Sequence, residues 1–227
     1  MNSVTLKRLS RLFIGLIVST ILIGAAHGDT LRLLVTDQAS GEPLPGAIVT
    51  LAVSQPVAPI LATVSQKDRA FRPQVLIIPR GSTVDFPNND NTHHHVYSFS
   101  KARTFNIELY ADEPGAPVLF DKPGIVEIGC NIHDHMQAYI VVVDTTHVGQ
   151  SNSQGELQIA LPDPPDGEGE ALEVNVWHPE MSNNIDFQTR AITAPPTGRQ
   201  TLTLDIAAKK TPGSGSFGDL QKRFRDL

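Results

Sequence analysis

The sequence predicts an all-β protein, and three observations support this fold class. Gly (17) and Pro (17) together make up 34 of the 227 residues and are spread along the chain, so turns are frequent and long helices are rare. Short apolar or alternating runs recur between these turns, as β-strands require. Hydrophobic residues amount to 40% and charged residues to 19%, a balance that excludes a disordered chain. The length allows one large domain or two small ones.

The N-terminus, residues 1–28, has the pattern of a secretory signal peptide. Lys7, Arg8 and Arg11 precede an apolar run over 12–26, and small residues follow it. This run is shorter than the roughly 20 residues that span a bilayer, so an uncleaved anchor is the less favoured interpretation. We therefore expect export to the periplasm, with no stable membrane insertion after cleavage.

Cleavage makes the protein strongly acidic. The signal peptide carries three basic and no acidic side chains, so the net charge changes from −6 for the whole chain to −9 for the mature part. Phosphate backbones bind basic patches, and nucleic acid is therefore excluded as an expected partner.

The mature chain divides into stretches of different character. Residues 29–64 predict two strands, at 31–35 and 47–53, around a Gly/Pro turn. Residues 145–207 return to alternating strands. Residues 208–227 form a flexible linker and a short amphipathic tail, in which Phe217, Leu220, Phe224 and Leu227 follow helical spacing. The strands predicted in the second stretch are 156–160, 172–177 and 201–206.

The central stretch, residues 65–144, is the densest in strand signals. The run at 138–143 is continuously apolar, which is typical of a strand buried on both faces. Its neighbour at 125–128 is shorter, and the loop between these two strands holds the chemically distinctive residues. The other strands predicted here are 75–79, 83–86 and 96–100.

Two clusters of metal-binding residue types stand at the ends of predicted strands. Cys130, His133 and Met136 lie three residues apart on one tight loop, so that a thiolate, an imidazole and a thioether can face one centre. The segment 93–95 contains three consecutive histidines before another strand and can supply a further imidazole. A Cys, two His and a weak axial Met are the ligands of copper sites that transfer electrons. Phe86, Ile132 and Met136 are candidates for an apolar shell around the metal.

Other interpretations of this loop remain open at the level of residue pattern. Zinc also binds Cys and His, but a thioether favours copper over zinc. Cys130 is the only cysteine, so it forms no intrachain disulfide and can instead be a small buried hydrophobe or a nucleophile beside a histidine. No oxyanion-hole motif accompanies it, which disfavours nucleophilic catalysis.

The residues over 86–90, 94–100, 120–124 and 129–134 resemble a cupredoxin (plastocyanin/azurin-like) domain of the bacterial plastocyanin-like type, often labelled methylamine-utilisation proteins. The resemblance covers about 80 residues, and it implies a Greek-key β-sandwich. It further implies one copper ion held by His94, Cys130, His133 and Met136.

The same resemblance assigns neighbouring histidines. His95 falls where plastocyanins carry an Asn that supports the site, and His93 is expected to face solvent. Plastocyanin-type loops have more residues between the second His and the axial Met than the two found here. His135 is therefore a rival ligand, and its binding would give a harder, red copper site like that of nitrosocyanin-like proteins.

The flanking segments resemble a second fold. Residues 33–47, 153–159 and 174–179 are similar to strands of a carboxypeptidase-regulatory-like (transthyretin-like) β-sandwich. We expect one discontinuous domain made of 29–64 and 145–207, with the copper-binding domain of 65–144 inserted; the alternative is two unrelated β appendages. Trp177 follows an alternating strand, which favours core packing over ligand binding.

Together these features predict a periplasmic single-electron carrier that is not itself an enzyme, with a dehydrogenase, oxidase or cytochrome as its partner. A protein that buffers or delivers copper is the first alternative. The second is an extracytoplasmic binding module in which copper is secondary. The sequence names neither the partner nor the pathway.

Overall fold

The computed structural model describes residues 30–112, 115–162, 171–193 and 198–207. The regular secondary structure within these ranges consists of β-strands alone, so the all-β prediction is confirmed. The predicted signal peptide, the linker and the amphipathic tail lie outside the described residues. No helix in the described ranges is long and apolar enough to cross a membrane.

The strands occur in two sets. The set that carries the predicted metal ligands is β3 (Leu61–Thr63), β4 (Ser65–Lys67), β5 (Ala70–Arg72), β6 (Val75–Pro79), β7 (Ser82–Asp85), β8 (His94–Ser100), β9 (Arg103–Tyr110), β10 (Val118–Phe120), β11 (Gly124–Gly129) and β12 (Gln137–Val143). The flanking set is β1 (Thr30–Asp37), β2 (Ile48–Leu51), β13 (Val148–Gln150), β14 (Glu156–Ala160), β15 (Ala171–Trp177), β16 (Gln188–Thr193) and β17 (Arg199–Leu204).

The central strands form a two-sheet sandwich, here called the site sandwich. Its larger sheet has the order β6-β12-β11-β8-β9, and its smaller sheet has the order β10-β7-β3. The two sheets enclose one apolar core, to which Val84 and Phe120 contribute from the smaller sheet and Ile128 and Ile140 from the larger. Strands β4 and β5 form a separate hairpin, whose Phe71 enters the same core.

The flanking strands form a second sandwich, here called the flanking sandwich. Strand β1 pairs with β14 and β17, and β2 pairs with β13 and β15, so segments from before and after the site sandwich share both sheets. Strand β14 alternates between exposed and buried residues, because only one of its faces meets the core. Leu33, Val49, Ile159 and Val174 are among the residues of this core.

The two sandwiches pack against each other through β12. Ile140 and Val142 on one face of β12 join the core of the site sandwich, whereas Tyr139 and Val141 on the other face join a cluster that includes Trp177. Residues 138–143 are all buried, as their continuous apolar run predicted. The flanking sandwich thus covers the face of the larger sheet that would otherwise meet solvent.

Several strands were not predicted, and their short length or weak alternation explains why. Strand β9 is an edge strand whose inward residues are only half-buried, so its polar and apolar positions contrast weakly. Strand β3 precedes the predicted boundary at residue 64 but pairs with β7 of the site sandwich. Strand β8 begins at His94 rather than Val96, and an irregularity in pairing lies between these two residues.

Candidate metal centre

The loop between β11 and β12 is closed by two backbone hydrogen bonds. Met136 N–H donates to His133 O at 2.8 Å, and Cys130 N–H donates to Met136 O at 3.2 Å. The first bond makes a tight turn of residues 133–136. The second ties the two ends of the loop together where β11 and β12 pair. Residues three apart in sequence are thereby held on one side of the loop.

Three predicted ligands meet at this end of the site sandwich. Cys130 Sγ lies 3.8 Å from His94 Nδ1 and 3.7 Å from His133 Nδ1. The three ligand atoms all lie within 4.8 Å of one another, and the two imidazole rings are 5.0 Å apart at their centroids. His94 and Cys130 are held by adjacent strands, since β8 and β11 are neighbours in the larger sheet.

The separations between these atoms fit a bound metal ion. With metal–nitrogen and metal–sulfur bonds of about 2.05 and 2.3 Å and an angle of about 120°, nitrogen and sulfur lie about 3.8 Å apart. A tetrahedral angle gives a similar separation of about 3.6 Å. The observed 3.8 and 3.7 Å are therefore separations that a thiolate and an imidazole bound to one metal ion would have. Two His and one Cys are the donor set of copper electron-transfer sites.

Of the three residues predicted for the apolar shell, Phe86 and Met136 are buried and Ile132 is not. Met136 is 2% exposed and belongs to the same apolar cluster as Cys130 and Phe86, so its thioether lies in the core next to the site. Coordination by its sulfur remains a prediction. Ile132 is 48% exposed, so its expected contribution to a buried shell is wrong. The turn that directs His133 toward the thiol leaves Ile132 at the surface.

His94 is held from its far side by a carboxylate. Its ring is fully buried, and Nε2 lies 2.7 Å from Asp90 Oδ2. Asp90 also accepts hydrogen bonds from the backbone N–H groups of Asp68 and Arg69. Desolvation, the largest single influence, raises the pKa of Asp90, but the hydrogen bonds from Arg69, His94 and Asp68 outweigh it, and the pKa lies below its ordinary value. A charged Asp90 fits a His94 ring with its proton on Nε2 and its Nδ1 lone pair facing Cys130.

His133 connects the buried cluster with the surface. It is half-buried, and its Nδ1 lies 3.7 Å from the Cys130 thiol. Burial is the largest cause that lowers the pKa of His133, and electrostatic interactions with His94 and Arg69 lower it further. The neutral ring that results at neutral pH keeps a lone pair available for a metal.

The other histidines of the described ranges lie outside the cluster. His93 is exposed, as expected, and His135 is exposed with its ring 6.2 Å from that of His133. His95 is buried against Tyr97, with ring centroids 5.6 Å apart. His178, in the flanking sandwich, is 6% exposed. Its Nε2 donates to a backbone carbonyl, and its Nδ1 accepts a backbone N–H.

A buried polar group beside Cys130 was missed at the sequence level. Tyr97 lies opposite Gly129 in the strand pairing, and a Cβ at Gly129 would stand 2.8 Å from the Tyr97 hydroxyl. Desolvation, with the charges of Glu127, Cys130 and Asp134, raises the pKa of Tyr97 to about 12. The alternation of 96–100 predicted which strand carries Tyr97. A glycine directly before Cys130 was the available signal that another side chain approaches there.

Comparisons with known proteins give matches to solved structures alone. No family model and no curated protein matches the chain. A copper-containing nitrite reductase from Thermus scotoductus SA-01 is 27% identical over 42% of this chain, with a TM-score of 0.36. A purple cupredoxin from Nitrosopumilus maritimus is 20% identical over 36%, with a TM-score of 0.32, and a reduced Cu(I) amicyanin variant is 19% identical over 42%, with a TM-score of 0.33.

The share of each matched protein that is covered differs widely. The aligned region spans 25% of the nitrite reductase chain but 99% of the purple cupredoxin and 98% of the amicyanin. All three TM-scores lie below 0.5, and the function proposed below therefore rests on the geometry of this chain.

Proposed function

We propose that this protein is a periplasmic, cupredoxin-like copper protein that carries single electrons to or from a redox partner. The observation that carries the proposal is the convergence of His94 Nδ1, Cys130 Sγ and His133 Nδ1 within 4.8 Å of one another, at separations that fit one metal ion. Met136 is the proposed weak axial ligand, since it lies buried beside Cys130. Copper bound here would supply one-electron chemistry between its Cu(I) and Cu(II) states.

The protein scaffold suits electron transfer. His94 begins β8 and Cys130 directly follows the adjacent strand β11 of a hydrogen-bonded sheet, and both are buried, so their positions change little when the charge of the centre changes. The surrounding core excludes water and sets the local dielectric, both of which tune a reduction potential. Of these three residues, His133 alone is only half-buried, and it is the proposed point of electron exchange with a partner.

A carrier rather than an enzyme is the proposed role. Cys130 is 3% exposed and His94 is fully buried, so a substrate molecule does not reach the thiol or the inner ligand without opening the core. The proposed partner is a dehydrogenase, an oxidase or a cytochrome, each of which exchanges single electrons. Export to the periplasm is proposed from the signal-peptide pattern of residues 1–28.

We further propose that the flanking sandwich is one split module of regulatory-like type, interrupted by the copper module. Pairing of β1 with β14 and β17, and of β2 with β13 and β15, supports this organisation. Its contact with β12 buries the outer face of the copper module's larger sheet. In this arrangement the flanking module stabilises the sheet that carries the ligands.

The test is a visible absorption and electron-paramagnetic-resonance spectrum of residues 29–227 with one equivalent of Cu(II). An intense blue band with narrow hyperfine splitting is expected, together with reversible redox cycling. Cys130→Ser should abolish the band, while Met181→Leu, a buried thioether in the flanking sandwich, should leave it unchanged. A colourless product in the wild type, or a band that survives Cys130→Ser, would refute the proposed site. Rapid copper exchange without reversible cycling would favour copper handling.

A further inference from the structure

A short hairpin holds the carboxylate behind the upstream ligand. Strands β4 and β5 are joined by Asp68 and Arg69, both with a φ of 54°, in the left-handed region that non-glycine residues seldom occupy. Their N–H groups donate to Asp90 Oδ1 at 2.6 Å and to Asp90 Oδ2 at 2.9 Å. Successive N–H groups in such a turn form a concave binding site for an anion. The turn thus accepts an unfavourable backbone conformation and binds one carboxylate with it.

The loop that contains Asp90 is fixed independently of the hairpin. Asp90 N–H donates to Asn88 Oδ1 at 3.0 Å, and the Asn88 amide donates to two backbone carbonyls. The hairpin docks on the same loop, because Gln66 N–H donates to Pro87 O and Asn89 N–H donates to Gln66 O. The loop that carries the Asp90 carboxylate and the hairpin turn that binds it are therefore both held in place by the protein itself, before a metal binds.

The carboxylate makes one further contact, with the buried ring of His94 at 2.7 Å. Because Asp90 accepts hydrogen bonds and the ring is buried, the ring proton belongs on Nε2. The lone pair of Nδ1 then points at Cys130 Sγ. A carboxylate bonded to a metal-ligating imidazole fixes its tautomer and raises its basicity.

We propose that Asp90 is a positioning residue of the metal centre, and that the turn at Asp68 and Arg69 serves to hold its carboxylate against His94. This inference rests on the proposed function, since it concerns the same site. A more basic imidazole stabilises Cu(II) more than Cu(I), so Asp90 keeps the reduction potential lower than a neutral residue would.

The test is Asp90→Asn, which keeps the shape and removes the charge. We expect Cu(II) affinity to fall about 10- to 100-fold, with a smaller loss for Cu(I). The reduction potential should therefore rise. The upper limit of the rise, reached if Cu(I) affinity did not change at all, is about 60 to 120 mV. The matched control is Asp134→Asn, which removes an exposed carboxylate of the same loop region that makes no contact with His94. Its effect on the affinity ratio should be much smaller.

A second variant separates the turn's backbone from its side chains. Asp68→Gly keeps the donating N–H and removes the steric cost of the left-handed backbone, so the potential and spectrum should be unchanged. A changed spectrum would show that the Asp68 side chain, rather than its N–H, acts on the site. Such a result would overturn the role given to the turn.

A measurement on the unaltered protein covers the case in which Asp90→Asn does not fold. In Cu(I)-loaded wild type, ¹⁵N NMR should show His94 protonated on Nε2, with slow exchange of that proton. Rapid exchange of that proton would overturn the inference. A wild type that binds no copper would instead refute the proposed function. A normal blue site whose affinity ratio is the same in Asp90→Asn as in wild type would refute the positioning role alone.

Discussion

Replacement of Trp177 by Phe tests how strongly the two sandwiches depend on their contact. Trp177 is fully buried, its ring lies edge-on to Tyr139 with centroids 5.1 Å apart, and its Nε1–H donates to Asn184 O at 2.8 Å. Phe keeps an aromatic ring but removes this donor inside the interface. The loss of a buried hydrogen bond costs about 1–3 kcal/mol. The void left by the smaller ring costs about 1 kcal/mol more.

We therefore expect Trp177→Phe to lower the free energy of unfolding by about 2–4 kcal/mol. For a chain of this size that corresponds to a fall in Tm of about 10 °C. Urea unfolding of the metal-free protein, followed by far-UV circular dichroism, measures the change. Leu119→Ala, at a side chain 44% exposed on the smaller sheet, is the control and should change stability by less than about 0.5 kcal/mol. An equally small effect for Trp177→Phe would refute the view that this contact holds the sandwiches together.

Two further substitutions test the metal centre, and a third tests the pH dependence of folding stability. Met136→Leu should leave copper bound and raise the reduction potential, because the axial donor is lost, whereas Met181→Leu should leave the potential unchanged; complete loss of copper would make Met136 more than a weak ligand. His135→Ala should change the visible spectrum little, and a large shift would promote this exposed residue to a ligand. Burial lowers the pKa of His178, so below pH of about 6.5 the unfolded chain binds a proton that the folded one resists, and stability falls as pH falls. In His178→Gln the decline in Tm as the pH falls below about 6.5 should be shallower than in wild type. The same dependence of Tm on pH in both proteins would contradict the view that His178 causes this decline.

Local pattern was informative where a residue's role is set by its near neighbours in sequence. The apolar run at 138–143 predicted a strand buried on both faces, and all of these residues are buried. The close spacing of Cys130, His133 and Met136 pointed to a loop on which they converge, and the structure places the Cys130 and His133 ligand atoms 3.7 Å apart. A tight turn needs only a few residues, so its geometry is encoded locally.

Other features depended on contacts between distant segments. The burial of Ile132 was predicted incorrectly, because apolar character alone does not say which side of a turn meets the core. Asp90 lies in a polar loop, next to Asn89. The residues around it gave no sign that its carboxylate hydrogen-bonds to His94 and to a hairpin more than twenty residues upstream. Tyr97 was placed on a strand, but its approach to Gly129 follows from the pairing of β8 with β11.

The sequence by itself determined the fold class, the strand-rich central region and the set of metal-binding residue types, because periodicity and ligand chemistry are properties of short segments. Residue pattern alone left open which histidine of the 93–95 segment serves the site; the resemblance pointed to His94, and the tertiary structure places His94 Nδ1 against Cys130. It also showed that Asp90 holds that ring from behind and that the flanking strands cover β12. Each of these results depends on strand pairing across long sequence separations. Strands pair so that whole sheet faces are buried and buried polar groups find hydrogen-bond partners. A short stretch of sequence does not contain the distant residues that meet these two requirements.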